Sequence, residues 1–181
     1  MTPEATRKWR VTARSAVGLG AVLAALAVAA WAFGVRLNYT SSLPRGLYAE
    51  SPFEPADARR GDVVTACPSA DAAVALAPYL ANGPCPGGVV ELGKPLVGLP
   101  GDTISVNRAG VRVGARLLAD SAPLFTDRSG RPLSPKLGRH VLGPGEYWLH
   151  SGRVPTSVDS RYAGPVSDVR GTLRPLWVEG E

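Results

Sequence analysis

Lys94 stands in the run Val-Val-Glu-Leu-Gly-Lys-Pro-Leu-Val-Gly-Leu-Pro-Gly-Asp, residues 89–102. The chain holds 17 arginines but only three lysines, and the other two, Lys8 and Lys136, have polar surroundings. Arginine stays protonated, whereas a lysine withdrawn from water can lose its proton near neutral pH and serve as a base. In an extended strand Leu92 and Leu96 share the face of Lys94, which favours the neutral amine. The competing reading is an ordinary lysine with a buried stem and a solvated amine.

A base needs a nucleophile. Ser42 is the best candidate, in Asn-Tyr-Thr-Ser-Ser-Leu-Pro-Arg-Gly-Leu-Tyr, residues 38–48. Peptide cleavage by a serine also needs an oxyanion stabiliser and a group that orients the base. If this segment is extended, Thr40 and Ser42 point one way and Ser41 the other. Thr40 would then offer its hydroxyl to the oxyanion alongside a backbone N–H, and Pro44 and Gly46 would keep the following chain straight beside a bound peptide. The same residues also suit a polar linker. A third segment, Thr-Ser-Val-Asp-Ser-Arg-Tyr-Ala-Gly-Pro at 156–165, places Ser157, Asp159 and Arg161 on one face by the same alternation. A hydroxyl there could orient a lysine amine, and an Asp–Arg pair could brace it. A surface loop with an ordinary ion pair is the alternative.

The elements that must position these residues read as short strands separated by Gly and Pro. Val63–Ala66, Gly88–Val97, Thr103–Asn107, Val111–Val113, His140–Leu142, Tyr147–His150 and Gly171–Val178 are the strand-like segments. Leu99–Asp102 suits a type II turn, because Pro100 presets one dihedral and Gly101 supplies the positive one. Ala70–Ala81 is the helical exception, with Pro78 kinking or ending it. Residues 119–139 read as an irregular excursion. The expected fold is one mostly-β domain over 37–181, carrying a small helical insertion.

From Ser15 to Val35 the chain runs 21 residues without a charge. A helix of about 20 residues crosses a hydrocarbon core of about 30 Å, so residues 15–36 are expected to be a transmembrane anchor in the lipid bilayer. Arg7, Lys8, Arg10 and Arg14 precede the run and only Arg36 follows it closely, which places residues 1–14 in the cytoplasm and residues 37–181 outside. A cleaved signal peptide is the rival, since Ala-Ala-Trp-Ala offers small residues near a possible cut. The charge of +5 divides into +4 over residues 1–36 and +1 over residues 37–181. The excess therefore belongs to membrane topology, and no nucleic-acid partner is expected. Cys67 and Cys85, the only cysteines, read as a disulfide in an oxidising compartment. A zinc site would need more ligands, so neither metal nor cofactor is expected. His140 and His150 read as structural.

The three segments together resemble the type I signal peptidases, which use a serine–lysine dyad. Gly-Lys-Pro-Leu-Val-Gly-Leu-Pro-Gly-Asp is similar to the lysine box of that family, and Ser-Val-Asp-Ser-Arg-Tyr-Ala-Gly to its final box. The TraF-type conjugative-transfer signal peptidases resemble the chain most, through Asn38-x-Thr40-x-Ser42-x-Pro44-x-Gly46-Leu47-Tyr48 and the paired cysteines. Leu43 stands where the housekeeping enzymes usually carry Met, the serine-to-proline spacing is one residue shorter, and Pro95 replaces a common Arg. These departures fit the conjugative subgroup.

The resemblance implies a signal-peptidase-like β domain with Ser42 as nucleophile and Lys94 as general base. Thr40 would help the oxyanion, Ser157 would orient Lys94, and Asp159 and Arg161 would support the site. The expected substrate is a translocated, membrane-associated precursor cut after a small residue, a pilin-like subunit of a conjugation or secretion apparatus. The expected location is the inner membrane, with the catalytic domain in the periplasm. In that subgroup the acyl group passes either to water or to the substrate's own amine, giving a cyclic product. A general leader peptidase, a non-catalytic envelope scaffold and a self-cleaving repressor of the same clan are the alternatives. The last needs a DNA-binding module, where residues 1–36 offer an apolar run instead.

Overall fold

The computed structural model describes the backbone of residues 3–180 and the side chains of residues 16–30 and 32–180. The chain divides into two units, residues 1–36 and 37–181. In the first, helix α1 spans Pro3–Ala32. Gly34, at φ 77°, then turns the chain, and strand β1 begins at Val35 and runs to Asn38. The expected anchor over 15–36 is therefore not one continuous helix, because its last residues turn and become extended. Among the described residues no helix is long and apolar enough to cross a membrane. The basic side chains at 7–14, on which the expected orientation rests, lie outside the described residues.

The second unit is mostly β, as expected. Its strands are β2 (Gly46–Pro52), β3 (Val63–Cys67), β4 (Leu92–Gly98), β5 (Thr103–Asn107), β6 (Gly110–Val113), β7 (Arg116–Leu117), β8 (Gly138–Val141), β9 (Trp148–Leu149) and β10 (Asp168–Val178). They form a six-stranded sheet in the order β1-β2-β10-β3-β4-β9 and a four-stranded sheet in the order β7-β6-β5-β8. The long strand β10 pairs antiparallel with both β2 and β3, and β3 pairs with β4. Period-two burial drives this arrangement. Val64, Ala66, Leu92, Leu96 and Leu149 meet in one core, and Ile104, Val106, Val111, Leu142 and Trp148 in a second.

Two local features fix how the site segments enter the sheet. The ladder between β10 and β2 shifts register between Pro175 and Trp177, where proline has no N–H to donate. Gly46, at φ 149°, lies under that irregularity, and a Cβ added there would sit 2.1 Å from the Trp177 carbonyl oxygen. Only glycine fits where β2 begins, four residues after Ser42. At the far end of β4, the Asp102 N–H donates to the Leu99 carbonyl at 3.0 Å, with Gly101 at φ 88°. The Asp102 carboxylate accepts from the Leu99 N–H at 2.7 Å and pairs with Arg60.

The insertion is shorter as a helix than its alanine content suggests. Helix α2 spans Ala70–Leu76, capped by the Ser69 hydroxyl, which accepts from the Ala72 N–H at 3.3 Å. Pro78 then lies in a 3-10 turn over Ala77–Tyr79. The cysteines expected to pair do so: a disulfide joins Cys67, at the end of β3, to Cys85, with 5.4 Å between Cα atoms. Reducing this crosslink is expected to cost about 3 kcal/mol by the loop-entropy relation for a loop of this length. Denaturant midpoints with and without reductant measure it, and coincident midpoints would show that the crosslink does not constrain the unfolded chain.

Candidate active site

Strand β4 delivers Lys94. Along it burial alternates, and Leu92, Lys94 and Leu96 are only 2%, 7% and 0% exposed. The lysine thus shares an apolar face with both leucines, as the sequence predicts. Burial is the largest influence on its amine and lowers its pKa from the ordinary 10.5 to about 8. The Asp159 carboxylate opposes that shift and the Arg161 guanidinium adds to it.

Ser42 arrives on a turn rather than an extended strand, which corrects the expected alternation. The Asn38 amide NH2 lies within hydrogen-bond reach of the Thr40, Leu43 and Pro44 carbonyls, at 3.1, 3.2 and 2.9 Å. The Tyr48 hydroxyl also donates to Pro44, at 2.8 Å. One asparagine side chain therefore curls residues 39–44 around itself. As a result Thr40 and Ser41 are exposed while Ser42 is buried. The Thr40 hydroxyl donates to Asn38 Oδ1 at 2.7 Å, so it is held at the surface of the turn rather than on the Ser42 side.

The third segment is likewise not a strand. Asp159 caps the short helix α3 (Ser160–Ala163), its carboxylate accepting from the Arg161 N–H. That curl brings Asp159 and Arg161 together as a fully buried pair, with the guanidinium reaching both carboxylate oxygens at 2.9 and 3.0 Å. The same guanidinium donates to the Ser157 carbonyl at 3.0 Å. Ser157, also buried, donates its hydroxyl to Ser42 Oγ at 3.4 Å. For Asp159, burial pulls the pKa up, but hydrogen bonds from His150 and Arg161 outweigh it and leave the carboxyl below its ordinary range.

Further contacts place the serine turn against β4. A Cβ added at Gly93 would meet Leu43 Cδ1 at 3.6 Å, so Leu43 lies over the residue before Lys94. On the other side, the His150 N–H donates to the carbonyl of Pro95, the residue after Lys94. Ser151 Oγ donates to the Ser42 carbonyl at 2.5 Å. Of the expected residues, Ser42, Ser157, Asp159 and Arg161 form one chain of hydrogen bonds, and Lys94 is coupled to its charged end. Thr40 is not in that chain.

Asn38, His150 and Ser151 were not foreseen in these roles. Only Asn38, which opens the Asn-x-Thr-x-Ser pattern, carried a visible signal in the sequence. A cleft of about 260 Å³ opens beside Ser157, lined by Thr156 and Val158 together with Leu76, Tyr79 and Tyr162. Neither Ser42 nor Lys94 lines it. Serine hydroxyls in contact, and a lysine that releases its proton near pH 8, are the ingredients of nucleophilic acyl transfer.

Comparison with known proteins finds relatives over most of the chain. The plasmid transfer protein TraF of Escherichia coli is 38% identical over 177 residues, covering 94% of this chain and 98% of that protein. The conjugal transfer protein TraF of Agrobacterium tumefaciens (strain 15955) is 38% identical over 154 residues, 83% of this chain and 85% of its own. A solved signal peptidase I from Enterococcus faecalis V583 matches at 20% identity and a TM-score of 0.38, over 68% of this chain and all of that one. The family model described as signal peptidase, peptidase S26, matches residues 7–177. The chain belongs to the peptidase S26 family of signal peptidases.

Proposed function

We propose that the protein is a serine endopeptidase in which Ser42 is the nucleophile and the neutral amine of Lys94 is the general base. The observation that carries this reading is the hydrogen bond from Ser157 to Ser42 Oγ, in a site whose lysine is buried and weakened as a base only to a pKa of about 8. The Ser42 oxygen attacks the scissile carbonyl carbon while its proton passes to Lys94 Nζ. The C–N bond then breaks, and the ammonium returns that proton to the departing amine. Water, activated by the same lysine, attacks the Ser42 ester and frees the acid.

Ser157 orients the reacting groups, and the Asp159–Arg161 pair holds Ser157 in place through its carbonyl. Thr40, by turning its hydroxyl away from Asn38, supports the oxyanion together with a backbone N–H. The substrate is a translocated precursor with a small residue before the scissile bond. Relatives named for plasmid and conjugal transfer support a pilin-like subunit of a conjugation apparatus as that precursor. The disulfide supports action in an oxidising, extracytoplasmic compartment close to the membrane. Purified protein mixed with a pilin-like precursor should yield one cut after a small residue, read by mass spectrometry. An intact precursor, or a cut that survives Ser42→Ala, overturns the reading.

A further inference from the structure

His150 is 5% exposed and lies just beyond β9, with its backbone N–H on the carbonyl next to Lys94. Its ring meets acceptors on both sides. Nδ1 is 3.1 Å from Asp159 Oδ2, and Nε2 is 3.4 Å from the Ala119 carbonyl oxygen. An ionised carboxylate only accepts, so the Nδ1 position must carry the proton and donate it. Arg161 takes both Asp159 oxygens from one side and also donates its backbone N–H to Oδ1 at 3.1 Å. The Ser151 N–H reaches Oδ2 at 3.3 Å. Among the described residues His150 is therefore the one side chain besides Arg161 that holds this carboxylate, and it does so on the oxygen that also accepts from Ser151.

We propose that His150 is a positioning residue which, by donating Nδ1–H to Asp159, fixes the carboxylate and limits how strongly its negative charge is felt at the Lys94 amine. The charged groups around it are Asp159 and Arg161 at the start of α3, Lys94 on the neighbouring strand, and Asp120, next in the chain to Ala119. Of these, Asp159 favours the charged lysine and Arg161 disfavours it. With the His150 hydrogen bond gone, more of the Asp159 charge would bear on Lys94, and the ammonium would persist to higher pH. The inference deepens the function proposed above, since it concerns the proton that Lys94 must lose.

The test reads Lys94 directly rather than through turnover. The chain has three lysines, so protein carrying lysine labelled with 13C at the ε carbon gives a short set of NMR signals, assigned by Lys8→Arg and Lys136→Arg. His150→Phe removes the donor and keeps the ring volume. His150→Asn restores a donor at the Nδ1 position. The Lys94 titration midpoint is expected to rise by about half a pH unit or more in His150→Phe and to return toward wild type in His150→Asn. Thermal melting identifies a variant that has unfolded, and in that case His150→Asn against wild type alone decides. For that pair, an Asn midpoint displaced upward by as much as expected for Phe would overturn the proposal, as would an unmoved midpoint in folded His150→Phe. Because the readout is a titration, it gives its answer even if Lys94 proves not to be the base, which the cleavage assay of Lys94 variants decides separately.

Discussion

Ser42→Ala and Lys94→Arg are each expected to lower kcat/KM on a precursor by about a thousandfold or more, with the fold retained. The serine change removes one hydroxyl. The turn that carries it stays anchored, because Asn38 and Ser151 hold it through main-chain carbonyls. The lysine change keeps a cation but cannot supply a base at neutral pH. A guanidinium buried beside Arg161 also costs stability, so Lys94→Met is the necessary companion, with similar volume and neither charge nor base. Loss of cleavage in Ser42→Ala, Lys94→Arg and Lys94→Met, with melting transitions retained, is the expected pattern. Near wild-type turnover in Lys94→Arg would refute the assignment of Lys94 as base.

The second large effect is with pH. In the proposed mechanism Lys94 must be neutral to accept the Ser42 proton, so kcat/KM is expected to climb about tenfold per pH unit below a midpoint near 8 and level off above it. Between pH 6 and pH 8 the gain is roughly fifty-fold. The same lysine costs stability in a definite window. Its folded pKa of about 8 lies below the ordinary 10.5, so the unfolded chain holds the proton more tightly. Below pH 8 the native state bears the full cost, on the order of 3 kcal/mol. That cost fades as pH rises from 8 toward 10.5 and is absent above it. Lys94→Met should therefore be more stable than wild type by about 1–3 kcal/mol at pH 7, with the advantage shrinking in alkali. A flat activity profile between about pH 6 and 9, with a less stable Met variant, would mark Lys94 as structural.

Where burial alternates along a paired strand, the sequence was legible. The face of Lys94 with Leu92 and Leu96 follows from period two alone, and the turn at Leu99–Asp102 follows from Pro-Gly chemistry. The same rule failed at Thr40–Ser42 and at Ser157–Arg161 for a common reason. In both places one short polar side chain, Asn38 or Asp159, bonds the backbone close by and curls it. Such side chains offer the chain an alternative to a ladder, and an alternation read from the sequence cannot register it. At the apolar run 15–35 the helix was legible but its end was not. Composition shows that a helix is available, whereas Gly34 and the strand that follows decide where it stops. The partnership of His150 with Asp159 was invisible, because it depends on α3 folding back beside β9.

The place of β10 in the six-stranded sheet has a consequence for how the protein is made. That strand lies between β2, which follows the Ser42 turn, and β3, which pairs with the lysine strand. Its residues 168–178 are synthesised after every segment it joins, and after Ser157 and Asp159 as well. An emerging chain can hold its serine strand and its lysine strand complete and still lack the sheet that brings them together. Under the proposed function, competence as a protease arrives in a late step, when β10 slots between its neighbours, so a half-made molecule has no assembled site with which to cut a precursor.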